Sequence, residues 1–136
     1  MENERLAKTW MTIAGIALLG AGLIGFLPDN PIASNDPDAL FRVNAAHNVV
    51  HLITGALALW IGLGMRGREL ANATIGFGVL YAVVAVLLIV DPTLFGLFSD
   101  APANGLDHAL HAALAIVSIA LGYMARQRME TRSSYR

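Results

Sequence analysis

Three stretches, at about 9–27, 44–63 and 70–90, contain no Asp, Glu, Lys or Arg, and a fourth, at about 106–123, contains only Asp107. As α-helices rising about 1.5 Å per residue, each approaches the roughly 30 Å hydrocarbon core of a bilayer. A backbone amide left unpaired in lipid costs several kcal/mol, so spanning segments are helices or closed barrels. The short alternating segments of a barrel are missing. The expected fold is all-α: a four-helix transmembrane bundle forming one domain over residues 1–136.

Composition points the same way. The chain is 56% hydrophobic and 14% charged, more apolar surface than a soluble domain of this length can hide. It has no cysteine, which removes disulfides, thiol catalysis, cysteine-ligated iron–sulfur clusters and c-type haem attachment. The basic residues form no stripe or motif for nucleic acid. The lipid bilayer is the expected partner, with a homo-oligomer or a second membrane protein left open.

The basic residues also orient the chain. Arg5 and Lys8 precede the first span, Arg66 and Arg68 join the second to the third, and Arg126, Arg128, Arg132 and Arg136 form the tail. Arg42 alone falls on the other side. Short cytoplasmic connections carry the excess of Lys and Arg. Both termini and the middle connection are therefore expected in the cytoplasm, in a multi-pass protein of the cell (cytoplasmic) membrane. The first apolar run, which no A-x-A cleavage site follows, is read as a retained helix and not a signal peptide. Pro28, Pro31, Pro37, Pro92 and Pro102 hold the two outer connections out of helix.

Lipid supplies no hydrophobic drive between helices, so small residues must let backbones approach. Ala17, Ala21 and Gly25 form one such stripe, Gly55, Ala58 and Gly62 a second, and Ala115, Ser118 and Gly122 a third, with Gly76 and Gly78 thinning the third span. Trp10 and Trp60, and on the outer side Phe26, Phe41, Phe95 and Phe98, read as interfacial anchors. Tyr81, in mid-span, requires a partner for its hydroxyl. Thr54 and Ser118 can satisfy theirs on their own helix backbones.

The chemistry-bearing residues are concentrated in two segments, NAAHNVVH at 44–51 and NGLDHALH at 104–111. At an offset of 60, Asn44 matches Asn104, His47 matches Asp107, Asn48 matches His108 and His51 matches His111. Both open helices that run from the outer to the inner surface. The bundle thus reads as an internal repeat of two helical hairpins in parallel orientation. His47 and His51 share one helix face, as do Asp107 and His111, and each pair sits above a small-residue surface where the second and fourth helices are expected to meet. Three imidazoles and a carboxylate then converge as ligands for Zn²⁺ or another divalent transition metal. His108 would be an added ligand or a partner to one, beside Asn48. Asn44 and Asn104 are placed to cap their helices, and the helix dipole favours Asp107 in a first turn.

The segments FRVNAAHNVVHLITGALAL, LFGLF and NGLDHALHAALAI, with the glycine-containing third span between them, resemble the bacterial and archaeal membrane proteins grouped as domain of unknown function 4383. The resemblance runs from the first helix to about Tyr123. It rests chiefly on Asn44, His47, Asn48, His51, Leu52 and Gly55, and on Asn104, Asp107, Leu110 and His111. Ala113 and Ala115 stand where the second motif usually continues with glycine. The resemblance implies four spans and the same choice of residues, without a reaction.

Other readings use the same cluster differently. His51 and His111 could be axial ligands of a b-type haem. The polar groups could serve only to fix helix packing or to bind a membrane partner. A proton or substrate path lacks ionisable residues in the cytoplasmic halves of the spans. Hydrolysis by metal-activated water would need an open coordination position, and no catalytic residue is assigned.

Overall fold

The computed structural model describes residues 2–28 and 30–133, with side chains through Gln127. The side chains of Arg128 and Arg132, and Arg136 altogether, lie outside the described residues. Four helices account for most of the chain: α1 (Glu2–Ile24), α2 (Ala45–Gly64), α3 (Gly67–Val90) and α4 (Gly105–Ser133). All four are long and apolar enough to cross a membrane. α1 reaches back to Glu2 and α4 on to Ser133, beyond the expected limits near 9 and 123. The added turns carry Glu, Lys, Arg and Gln, which favour helix where water is at hand.

Glycine determines which helices pair. A Cβ at Gly15 would lie 2.9 Å from the Gly55 carbonyl and 2.7 Å from Leu59 Cγ, and one at Gly62 would lie 2.7 Å from Thr12 Oγ1. α1 therefore packs antiparallel on α2 at backbone distance. In the same way a Cβ at Gly78 would meet the Ala115 carbonyl at 2.9 Å, and one at Gly122 the Ala71 carbonyl at 2.9 Å, which joins α3 to α4. The small faces of α2 and α4 are thus used within these two pairs and not against each other, contrary to the sequence expectation. On α1 the contact is made by Gly15 and Gly22, while Gly76 faces open space.

The two pairs are joined covalently by Met65 and Arg66 alone. Side-chain hydrogen bonds tie them together at several levels. At one end Gly67 N–H donates to Glu4 Oε1 (2.9 Å) and Asn3 Nδ2 donates to the Met124 carbonyl (3.1 Å). Further in, Trp10 Nε1 donates to Ser118 Oγ at 2.8 Å. Trp10 is therefore an internal cross-link where an interfacial anchor was expected, and Ser118 has a partner beyond its own helix. Tyr81 donates to Thr54 Oγ1 (2.9 Å), which in turn donates to the Val50 carbonyl (2.8 Å).

The far end is closed by the two longer connections. In the first, Asn30 Nδ2 donates to the carbonyls of Ile24, Leu27 and Ala33. Beyond it, β1 (Ala33–Ser34) pairs in parallel with β2 (Phe41–Arg42). In the second, Asp91 accepts from Thr93 N, Thr93 Oγ1 and Phe95 N. These bonds hold a turn in which Leu94 (φ 47°) and Phe95 (φ 56°) adopt the left-handed conformation that L side chains disfavour. Phe98 N–H then donates to the Thr93 carbonyl (2.7 Å), and the Phe98 ring turns inward beside Leu88 and Ala103.

Gly15→Ala should destabilise the bundle by about 1–3 kcal/mol, the usual range for overpacking, whereas Gly20→Ala, which meets nothing within 4 Å, should not. Thermal unfolding in detergent compares the two. The Thr93 bonds hold the Asp91 carboxyl below the usual carboxylate range. The contribution of its anion is present at neutral pH and is lost only as pH falls through that lowered value. Amide exchange at Thr93 and Phe95 should stay slow down to the ordinary carboxylate range and quicken in Asp91→Asn already at neutral pH.

Candidate metal centre

The polar cluster forms because two helix starts are fixed at the same height. Asn44 precedes α2, and its Oδ1 accepts from His47 N (2.9 Å) while its Nδ2 donates to the Leu97 carbonyl and Asp100 Oδ1. Asn104 precedes α4. Its Oδ1 accepts from Leu106 N and Asp107 N, and its Nδ2 donates to the Leu40 carbonyl at 3.0 Å. Each asparagine thus caps its own helix and grips the longer connection of the other pair. The histidines one and two turns further in are held at matching depth.

His47, His51 and His111 come together. One ring nitrogen from each lies within 4.8 Å of the others. The ring centroids of His47 and His51 are 4.4 Å apart, and His111 lies 5.9 Å from His47 and 6.4 Å from His51. A closed tetrahedral zinc site brings its nitrogens to about 3.3 Å from one another, so this triangle is somewhat wider. Phe98 stacks on His47 at 4.4 Å with the planes 12° apart, and the Tyr81 ring lies 5.7 Å from His111.

His111 Nδ1 sits 2.7 Å from the Asp107 carbonyl oxygen. A carbonyl only accepts, so Nδ1 carries the proton and Nε2 presents its lone pair. This is the arrangement of a metal-ligating histidine fixed by a backbone acceptor. The Arg42 backbone lies near enough to His47 to act on its ring, but both ring nitrogens of this residue, 1% exposed, are buried with no hydrogen bond of standard geometry among the described residues. His51 Nδ1 is in the same position. Buried polar atoms are nearly always paired; the two nitrogens of His47 point away from each other, so each ring offers one nitrogen to a common ligand, and the unbonded nitrogens of His47 and His51 leave room for one.

Asp107 is used differently from the expected fourth ligand. Its Oδ2 accepts from Asn104 N (2.8 Å) and Arg42 N (3.3 Å), and its oxygens are not part of the close group of donors. The carboxylate thus takes the N–H of the capping residue itself, a turn above His111, while Asn104 Oδ1 takes the first-turn amides of Leu106 and Asp107. His108 lies to one side, with Nδ1 buried and unpaired. Asn48 is 1% exposed and faces α1, where a Cβ at Gly25 would collide with its carboxamide. Sequence reasoning missed Phe98. It was read as a lipid-surface anchor, although the LFGLF segment placed it close to the motif.

Beside the histidines lies a cavity of about 140 Å³. Its inner wall is His51, His111 and Asp107, and its other walls come from α1, α4 and the first outer connection. Towards the opposite end of the bundle the interior is filled by Met11, Leu18, Ala58, Phe77 and Tyr81, all buried. The site therefore has an apolar floor.

No curated protein and no solved structure matches this chain. The family model described as domain of unknown function (DUF4383) matches residues 8–124, which include all four helices' apolar parts and both polar motifs. The chain belongs to the DUF4383 family.

Proposed function

We propose that this multi-pass membrane protein holds a divalent transition metal, with Zn²⁺ the first candidate, on His47, His51 and His111 in the outer half of the bilayer. The observation that carries the reading is the convergence of one ring nitrogen from each of three histidines within 4.8 Å of one another, with buried nitrogens of His47 and His51 making no hydrogen bond among the described residues. A network serving only to fix packing would pair those nitrogens, since an unpaired buried polar group costs about 1–3 kcal/mol. Zn²⁺ suits imidazole donors and imposes no strict geometry. In this scheme Asp107 acts on His111 through its carbonyl and supplies negative charge, while Asn44 and Asn104 set the helix starts. His108 and Asn48 line the surroundings.

The positive-inside distribution of Arg5, Lys8, Arg66 and Arg68 supports the placement of both termini in the cytoplasm and of the histidines on the outer side of the cell membrane. The likeness of Asn44 and Asn104, each capping the second helix of its pair, supports an internal repeat. A b-type haem between His51 and His111 is less well supported. A cavity of about 140 Å³ is close in size to one that holds a benzene ring, far less than a porphyrin needs. The apolar floor likewise speaks against an ion path through a single chain.

Detergent-purified protein from zinc-replete cells should contain one metal per chain by mass spectrometry. A His51→Ala, His111→Ala double variant that retains its circular dichroism and elution volume should contain none. Wild type without stoichiometric metal sinks the proposal. Asp107→Asn keeps the backbone carbonyl that orients His111 and removes only a nearby negative charge, so it should still bind, with a loss below the roughly 10–100-fold that removing an orienting group costs; competition with a zinc chelator measures this.

A further inference from the structure

Three histidines leave a tetrahedral ion with its fourth position open, the arrangement of sites that accept an exogenous ligand. The cavity beside them indicates what that ligand is. His51, His111 and Asp107 border it on one side, and nearly all of its surface is apolar, with Ala14, Ala17 and Ala21 of α1 providing the room. His111 is 6% exposed, and its Nδ1 is committed to the Asp107 carbonyl, which leaves Nε2 as its free donor.

The way in is from the side. On the water-facing end Ala33 (3% exposed) and Val43 (2% exposed), together with Phe41, form a roof. Ala17 of α1 and Leu110 of α4 both line the cavity and are both exposed on the outside of the bundle, the surface that meets lipid. A molecule arriving there comes out of the hydrocarbon and has an apolar body. At about 140 Å³ the space takes a ring or a short length of alkyl chain, while the remainder of a longer chain stays in the bilayer.

Charge selects the head group. A divalent ion on neutral imidazoles keeps two positive charges in a low-dielectric setting, and Asp107 is the one carboxylate in the cavity wall. One further negative charge neutralises the site, and isolated charge in such surroundings is costly. Resting on the metal reading above, we infer that the cavity receives a single-chain carboxylate amphiphile, a fatty acid, which enters between α1 and α4 and places its carboxylate at the open coordination position.

Cobalt(II), whose visible spectrum reports its ligands, provides the test. Cobalt-loaded protein in nanodiscs of a neutral phospholipid is titrated with decanoate, acetate and decanol. Decanoate should change the spectrum at a concentration at least about tenfold below acetate, because buried methylenes contribute about 0.8 kcal/mol each. Decanol should leave the spectrum unchanged. Ala17→Phe and Ala21→Leu, which fill the cavity away from the histidines, should keep one cobalt per chain and lose the preference for decanoate. Equal potency of acetate and decanoate, an equal response to decanol, or a preference that survives both cavity-filled variants overturns the inference while leaving the metal site standing. Failure of wild type to take up cobalt overturns both readings together.

Discussion

The bundle depends on a division of labour forced by lipid. Since apolar side chains gain nothing by leaving hydrocarbon for one another, helices in a bilayer must associate through close packing or through hydrogen bonds. Here the two means are separated in space. Within each pair, α1 with α2 and α3 with α4, glycine brings backbone against backbone. Between the pairs the described side-chain bonds are polar: Glu4 to Gly67, Trp10 to Ser118, Tyr81 to Thr54, Asn44 to Asp100, Asn104 to Leu40 and Asp107 to Arg42. The histidines lie on this second kind of interface. Their site is one level of a polar seam that continues inward through Tyr81–Thr54 and Trp10–Ser118, and its shape follows from spending the small faces elsewhere.

That separation also explains what could be read from the sequence. The spans were legible because hydrophobicity over some twenty residues is a property of the segment itself. The histidines were legible because the i, i+4 spacing of His47 and His51, matched by Asp107 and His111, fixes a helix face without knowledge of its neighbours. The choice of neighbour was not legible. Gly55 and Gly62 were correctly seen as a contact surface, but nothing local states whether that surface meets α1 or α4. The assignment to α1 depends on Gly15 and Gly22, residues that lay off the stripe read from Ala17, Ala21 and Gly25.

The outer connections were the least legible part. Phe98 looked like any aromatic residue near a membrane surface. Its place against His47 is set by a turn built on Asp91, with two left-handed residues that no hydropathy pattern signals. The place of Asp107 was hidden for a related reason. A carboxylate on the same face as a histidine is a credible ligand, yet it also stands within reach of the backbone at a helix start, and the N–H groups of Asn104 and Arg42 hold it.

The connection between the two pairs is short. Met65 and Arg66 are the whole of it, at the end of the bundle remote from the histidines, and every other tie between the halves is non-covalent. Each half has its own internal glycine packing and could insert by itself as two helices. A chain severed at that point would therefore be expected to reassemble from two separately synthesised fragments, with the histidines from one half and the third from the other completing the cluster only on reunion. The same property makes the molecule a natural split reporter, whose site exists only when its two fragments meet in one membrane.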